Sequence, residues 1–387
     1  MHILYIYPEI VIKGGTEKIL TEKANYFSTH GYQVTIVTES QMGRPLSFVL
    51  NPSVHLIDLG LDFNRQYTQN AIHRLFTYLS LMKKYKKILT RLLIDLHADF
   101  VITTMGRSLS LLPHMKDGSI KMAEAHMTKI HLRNLDIMEQ RGGLFWIVAK
   151  YMRWRMCRNV SKIDAIVLLT QNDADDWKKD ARTYVIPNPI SFYPENPAKL
   201  DNKNVIMVGR YNESKGYDYL IPAWDIVHKR HPDWVLNVFG SGELHDKVVC
   251  WIKERDLENT MILHEPTDYI MDEYLKSSIS VLSSRHEGFS LVILESMACG
   301  VPVVSFNCPF GPSTIIRNEE DGLLVEHLNP QALADGICRL IEDKSLRDVM
   351  GTKARKNVLR FSKESVMKQW DELFLKIRRE HGYGNDD

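Results

Sequence analysis

The sequence predicts an α/β protein built as two doubly wound halves, and three observations carry that expectation. At 387 residues the chain exceeds what one hydrophobic core usually covers, so two domains are the starting point. Apolar strand-like runs alternate with helical stretches, the order that gives a parallel sheet with crossover helices. The alternation stops at Ile186-Pro187-Asn188-Pro189-Ile190, where each proline removes a backbone donor and biases the preceding residue away from helix, and it then restarts. Two such Rossmann-like halves facing each other leave a cleft. Ligands in sheets of this kind bind at the carboxyl ends of the strands.

In chain order, residues 3–7 read as a first strand, 15–30 as a helix, 33–38 as a strand, 54–56 as a short strand, 100–103 and 121–124 as further strands. After the apolar run 165–169 a short helix starts near Asn172 and leads to a strand at 183–186; the polar, proline-containing stretch through Lys203 reads as a linker. The second half repeats the grammar: strand 205–208, helix 216–231, strand 234–239, helix 244–255, strand 262–263, strand 279–282, helix 290–299, a further apolar strand and a helix at 330–342. The expected organisation is thus a first domain over 1–186, a linker over 187–203, a second domain over 204–362, and a final segment over 363–387 whose helix carries Trp and Phe.

Composition is that of a soluble globular protein, 44% hydrophobic and 25% charged. No run reaches the roughly 18 apolar residues of a membrane span, and the first ten residues lack a signal-peptide pattern, so a cytoplasmic protein is expected, peripheral to the inner face of a plasma membrane if it meets one. The five cysteines form no C-x-x-C pair, which argues against a zinc site or a disulfide framework. The net charge of +1 hides an asymmetry: residues 1–186 hold 25 Lys and Arg against 17 Asp and Glu, leaving 24 against 31 for the rest. Residues 63–94 contain seven cations and no acid, and residues 140–163 six and no acid. Such a one-sided basic surface attracts lipid headgroups, a lipid diphosphate or nucleic acid.

The chemistry concentrates in residues 283–304, a polar loop, a helix, a Gly-Val-Pro turn and an apolar strand. Helix N-termini carry unpaired amides and partial positive charge, so a glycine-containing loop entering one suits a diphosphate. Glu287 in the loop and Glu295 on the helix are eight positions apart, placed to accept from the hydroxyls of one ligand. Val208-Gly209-Arg210 with Lys215-Gly216 opens the second half in the same manner. Its two cations would clamp a leaving nucleoside diphosphate, Arg as a planar fork and Lys as a compact charge. Gly14-Gly15 follows the first strand and lets backbone approach a ligand closely, or simply makes a tight turn.

Glu287-Gly288-Phe289, Glu295 and Ala298-Cys299-Gly300-Val301-Pro302-Val303 stand in register with the E-x7-E segment of retaining GT-B glycosyltransferases. The chain resembles the glycogen-synthase-like family, glycosyltransferase family 4 or "glycosyl transferases group 1", of the bacterial surface-polysaccharide type (capsule, lipopolysaccharide). The resemblance implies a GT-B fold whose final helix crosses back to the first domain. It implies catalytic roles for Arg210, Lys215, Glu287 and His126, the last beside the donor sugar. Donor contacts would come from Gly14, Gly15, Gly288, Phe289, Ser290, Leu291 and Glu295, with Glu295 on the ribose. The expected function is transfer of a hexose or N-acetylhexosamine from a nucleotide sugar, a UDP-sugar first, to a glycan or lipid-linked saccharide acceptor. No cofactor, catalytic metal or nucleic-acid partner is expected.

Three features get bland readings. Gly240-Ser241-Gly242 lacks the third glycine and acid of a dinucleotide loop. Asp173-Ala174-Asp175 matches D-x-D but opens a helix, where acids meet the dipole. Asn188 reads as a turn residue. Two windows point to an anionic membrane or acceptor: Lys83, Lys84, Lys86, Lys87 and Arg91 among apolar residues, and Arg153, Trp154 and Arg155, each also compatible with a solvated helix face. Alternatives left open are a catalytically silent sugar-nucleotide- or nucleic-acid-binding protein and a nucleotide-sugar epimerase on the same fold.

Overall fold

A computed structural model describes residues 1–63, 71–132 and 135–383, which form two compact units: Met1–Ile186 with Met367–Asp387, and Pro187–Val366. Each is built on a twisted parallel sheet flanked by helices.

The first unit has seven strands: β1 (His2–Tyr7), β2 (Gln33–Thr38), β3 (Val54–Asp58), β4 (Phe100–Thr104), β5 (Ile120–Ala125), β6 (Ala165–Leu168) and β7 (Thr183–Val185). Their order is β3-β2-β1-β4-β5-β6-β7, all neighbours parallel. β1 and β5 are buried along their whole length; β1 accordingly reads as a nearly continuous apolar run, while β5 buries Lys121 and Glu124 in ion pairs with Asp117 and Lys23. Helices α1 (Gly15–Thr29), α2 (Ala71–Leu96), α3 (Leu135–Gln140), α4 (Gly143–Val160) and α5 (Gln171–Trp177) connect them. α2 packs by Leu81, Tyr85, Leu89 and Leu93, spaced every four residues, against Leu4, Ile6 and Val101 of the central strands.

The second unit has six strands in the order β10-β9-β8-β11-β12-β13: β8 (Asn204–Val208), β9 (Val235–Phe239), β10 (Met261–His264), β11 (Ile279–Leu282), β12 (Val303–Phe306) and β13 (Gly322–Val325). Helices α6 (Tyr217–Arg230), α7 (His245–Lys253), α8 (Ile270–Leu275), α9 (Leu291–Ala298), α10 (Gly311–Ile315), α11 (Pro330–Glu342) and α12 (Lys344–Asn357) complete it. β13, α8 and α10 escape the sequence reading because they are only four to six residues long, and α12 because it is too polar for an apolar stripe to stand out.

The 187–203 stretch corrects the expected linker: it lies in the second unit. Ile190 N donates to Phe361 O and Ala198 N to Cys299 O, and Ala198 and Leu200 share a core with Ile206 and Val301. Its polarity masks a few apolar anchors. The last helix, α13 (Lys363–Glu380), belongs from Met367 onward to the first unit, where Phe374 packs edge-on against Phe27 and tilted on Phe100.

Candidate functional site

In each sheet the chain winds outward from one central strand and then returns to its other side, between β1 and β4 in the first unit and between β8 and β11 in the second. Loops at such a reversal diverge and leave a crevice at the strand carboxyl ends. Of the residues singled out from sequence, Gly14 and Gly15 follow β1, Arg210 and Lys215 follow β8, and Glu287 to Leu291 follow β11.

In the second unit, β8 runs into Gly209 and Arg210, and a 3-10 turn (Glu213–Lys215) ends at Gly216, whose φ is 65°. A side chain at Gly216 would meet Ser283 O at 2.2 Å, so only glycine lets this turn touch the β11 loop. The Lys215 chain lies across Gly209, within 3.4 Å of where a Cβ would be, and its Nζ reaches Glu287 Oε1 at 2.6 Å. Ser284 Oγ donates to the same oxygen at 2.7 Å. Glu287 Oε2 accepts no hydrogen bond among the described residues and stays open to a ligand hydroxyl. Lys215 has three N–H donors and spends one here, which leaves others for a phosphate.

The backbone under Glu287 is held from a third strand. Glu287 bridges to Phe310, whose φ of 76° and ψ of −79° are a strained turn conformation for a non-glycine residue, and a Cβ at Gly311 would meet Glu287 Cβ at 2.9 Å. Buried Cys308 sits beneath, its thiol pushed up to about 12 by burial and by the Glu287 charge. Ser290, the N-cap of α9, is buried, and its Oγ has no partner among the described residues. Gly288, Phe289, Ser290 and Leu291 thus lead into a helix start whose amides carry no side-chain cap. Glu295, about one turn into α9, is buried beside Tyr274, whose phenol is raised by burial and then by the Glu295 charge. Arg210 is exposed and pairs with no carboxylate among the described residues. Arg285 instead forks onto Asp218 at 2.7 and 2.6 Å, tying the β11 loop to α6.

Sequence reading took in Ser284, Gly209, Phe310 and Gly311 only as parts of longer motifs and gave none of them a role in holding Glu287 or Lys215. It also missed why Gly240 and Gly242 are glycines: Cβ atoms there would stand 1.9 Å from Gly209 O and 2.5 Å from Tyr211 O, so the pair packs loop on loop.

In the first unit, Gly14 is the N-cap of α1, Gly15 its first residue, and Gly14 O accepts from Lys18 N. His126 follows β5 and directs Nε2 to Glu124 Oε2 at 3.3 Å, while its Nδ1 is buried without a partner among the described residues. Lys23 of α1 pairs with the other Glu124 oxygen at 2.5 Å and lies 3.8 Å from the Trp370 ring centre on α13. Burial alone would raise the Glu124 carboxyl; Lys23 and His126 together hold it at about 2. Glu124 thus holds the His126 ring by its Nε2 edge and leaves the Nδ1 edge turned away from the pair.

Lys83, Lys84, Lys86, Lys87 and Arg91 are exposed on α2, and Trp154 and Arg155 on α4. Arg153 differs from that expectation: it is only half exposed, donating to Glu139 at 2.9 Å and to Lys129 O. Of the D-x-D acids, Asp173 is buried near the start of α5 and its Oδ1 accepts from Lys129 N, while Asp175 faces solvent. His231, Cys338 and Glu342 could jointly reach one cation, but they lie at the far end of α6 from Lys215, with Arg230 against the thiol.

Residues 191–357 match the family model described as "Glycosyl transferases group 1". The chain is 27% identical to an uncharacterized glycosyltransferase of Haemophilus influenzae over 92% of this chain and 95% of that one. It is 22% identical to the amylovoran biosynthesis glycosyltransferase AmsD of Erwinia amylovora, over 96% and 99% of the two chains. Among solved structures, a mutant of S. aureus TarM in complex with fondaparinux, alpha-GlcNAc-glycerol and UDP superposes with a TM-score of 0.77 at 18% identity, covering 96% of this chain and 99% of that one. At that identity the likeness speaks for a shared two-sheet GT-B fold.

Proposed function

We propose that this chain, a GT-B glycosyltransferase of group 1 and of the bacterial polysaccharide type, moves a hexose or N-acetylhexosamine from a UDP-sugar to a glycan acceptor with retention of configuration. The observation that carries the reading is the Lys215–Glu287–Ser284 cluster at the β8/β11 reversal, with Glu287 Oε2 open and the uncapped start of α9 beside it. It offers a cation and helix amides to a diphosphate and a carboxylate to sugar hydroxyls, on adjacent loops.

Charge accumulates on the diphosphate as the glycosidic bond breaks. Groups held rigid before the reaction therefore lower the barrier more than groups that must reorganise. Lys215 is such a group, because Glu287 and the Gly209 floor fix its ammonium before a ligand arrives. Arg210 adds a mobile second cation. Glu295 is assigned to the ribose, Gly288 to Leu291 to phosphate and sugar, and Gly14, Gly15 and His126 to the first unit's contacts with the donor. The S. aureus structure carrying UDP supports the choice of uracil nucleotide. The acceptor is assigned to the basic first unit and is read as a lipid-linked saccharide of a surface polymer, handled at the inner face of the plasma membrane. The reaction is proposed to need no metal.

A thermal-shift screen with UDP, GDP, ADP and their sugars, with and without EDTA, tests this. Ligands that bind the native state raise Tm by mass action. Selective stabilisation by uridine compounds, unchanged by EDTA and lost in Lys215→Ala, is expected. Equal indifference to every nucleotide would refute the donor assignment, and salt-sensitive RNA binding in its place would favour a silent binding protein.

A further inference from the structure

Helix α4 opens with Leu144, Phe145, Trp146, Ile147 and Val148, exposed by 74, 52, 48, 58 and 38%. Five successive positions go more than once round a helix of about 3.6 residues per turn. The start of α4 is therefore a projecting apolar tip, open on every side, and the first buried residue of the helix is Ala149. Tyr151 and Trp154 extend the exposed surface along it.

Cations flank the aromatic side chains at the tip and further along α4. Arg141 lies 5.8 Å from the Phe145 ring, Lys150 5.7 Å from Trp146 and Arg158 5.3 Å from Trp154. α4 itself carries no Asp or Glu. Glu139 of α3 engages Arg153 and stands 3.9 Å from Lys150, so this flank keeps a positive excess. A second copy docking through this tip would set cation against cation. A protein partner would need a socket closed around the whole turn, whereas a lipid interface deforms around any apolar shape. Aromatic rings with flanking cations are the side chains such an interface retains.

The other half of α4 shares a cavity of about 650 Å³ with α2 and the loop after β4, lined by Arg74, Arg107 and Arg155 beside apolar Tyr78 and Met152, with Arg107 paired to the buried Glu39 carboxylate at 3.0 Å. Met152 lies eight residues past Leu144, about 12 Å along the helix. A tip sunk about 5–10 Å below the headgroups would hold this arginine-lined cavity at the depth of lipid phosphates.

We propose that the first two turns of α4 insert into an anionic lipid surface and set the cavity beside them at the level of the lipid phosphates. The inference rests on the lipid-linked acceptor read above, and supplies the element that brings the chain to it. The test is flotation of the full chain with phosphatidylglycerol–phosphatidylcholine vesicles and with phosphatidylcholine alone, for wild type and for Leu144→Ser, Trp146→Ser and Ile147→Ser combined. Because these three side chains are all about half exposed or more and none belongs to the buried core, the variant should keep its melting temperature and its response to UDP. Expected are binding to anionic vesicles, weaker binding to neutral ones, and at least about a tenfold loss in the variant. Flotation of the variant equal to wild type, or no flotation of wild type, overturns the proposal. So does a concentration-dependent wild-type dimer that the variant abolishes. A UDP response that survives any of these leaves the donor reading standing, while its absence in wild type strikes that reading alone.

Discussion

Each unit holds a Lys–Glu pair at nearly the same separation, Lys23–Glu124 at 2.5 Å and Lys215–Glu287 at 2.6 Å, and the two do different work. The first is sealed: the Lys23 side chain is 2% exposed, lies on Trp370, and shares Glu124 with His126. The second is half open, with Lys215 at 18% and one carboxylate oxygen unengaged. Burying two charges is costly unless both stay paired, so the sealed pair ties α1, β5 and α13 into one arrangement and orients a histidine. The open pair keeps its charges in reach of water and of a ligand that can exchange for it. Distance alone does not separate scaffold from site; the remaining donors and acceptors do.

Breaking the sealed pair should have the largest effect on the fold. Lys23→Met leaves Glu124 buried with only His126 beside it, and chemical denaturation should show a loss of about 3–5 kcal/mol. A loss under about 1 kcal/mol would mean that water reaches Glu124 and that the contrast is false. The same pair sets an acid limit. Its folded carboxyl, at about 2, lies below the ordinary 4.5, so its contribution is complete above 4.5 and is lost as pH falls from there toward 2.

Breaking the open pair should leave the fold nearly intact and strike turnover. Lys215→Ala is expected to lower kcat by about 100- to 1000-fold, as removal of one preorganised donor does, with a Tm within about 2 °C of wild type. A comparable fall in Tm would place Lys215 among the scaffold residues.

Asp173 sharpens the comparison as a buried carboxylate that accepts from the Lys129 backbone amide. Burial pushes its carboxyl up to about 6. A raised folded value means that ionisation costs stability, so wild type should gain stability as pH falls from about 6 toward 3.8. Asp173→Asn should therefore stabilise by about 1–3 kcal/mol at pH 8 and by little at pH 4, read from denaturation at both pH values. Equal effects at the two would show that Asp173 is solvated.

The smallest expected effect is at Glu295. Its assignment to the ribose predicts that Glu295→Ala weakens UDP binding by about tenfold with little change in uracil-nucleotide selectivity, measured calorimetrically. Unchanged affinity would confine Glu295 to its contact with Tyr274.

Much of this protein was legible in the chain. The strand and helix order of both halves, the glycine loops after β1 and β8, and the Glu287 to Glu295 segment rest on local signals: apolar periodicity, turn residues and caps. The D-x-D text also read correctly as a helix start. What was not legible has one cause. Lys23 meets Glu124 across 101 positions, Lys215 meets Glu287 across 72, and Ser284 and Phe310 matter only because of where Glu287 lies. The 187–203 stretch was misread as a linker because three or four buried apolar side chains do not show in a polar, proline-rich composition.

By itself, then, the sequence determined two doubly wound halves and which loops stand at their strand ends, since those follow from neighbours within a few residues. The tertiary structure alone decided which lysine is buried and which is open, and that Leu144 to Val148 face outward instead of filling a core. Periodicity cannot distinguish an all-apolar turn that is enclosed from one that projects, because exposure depends on what distant segments pack against it.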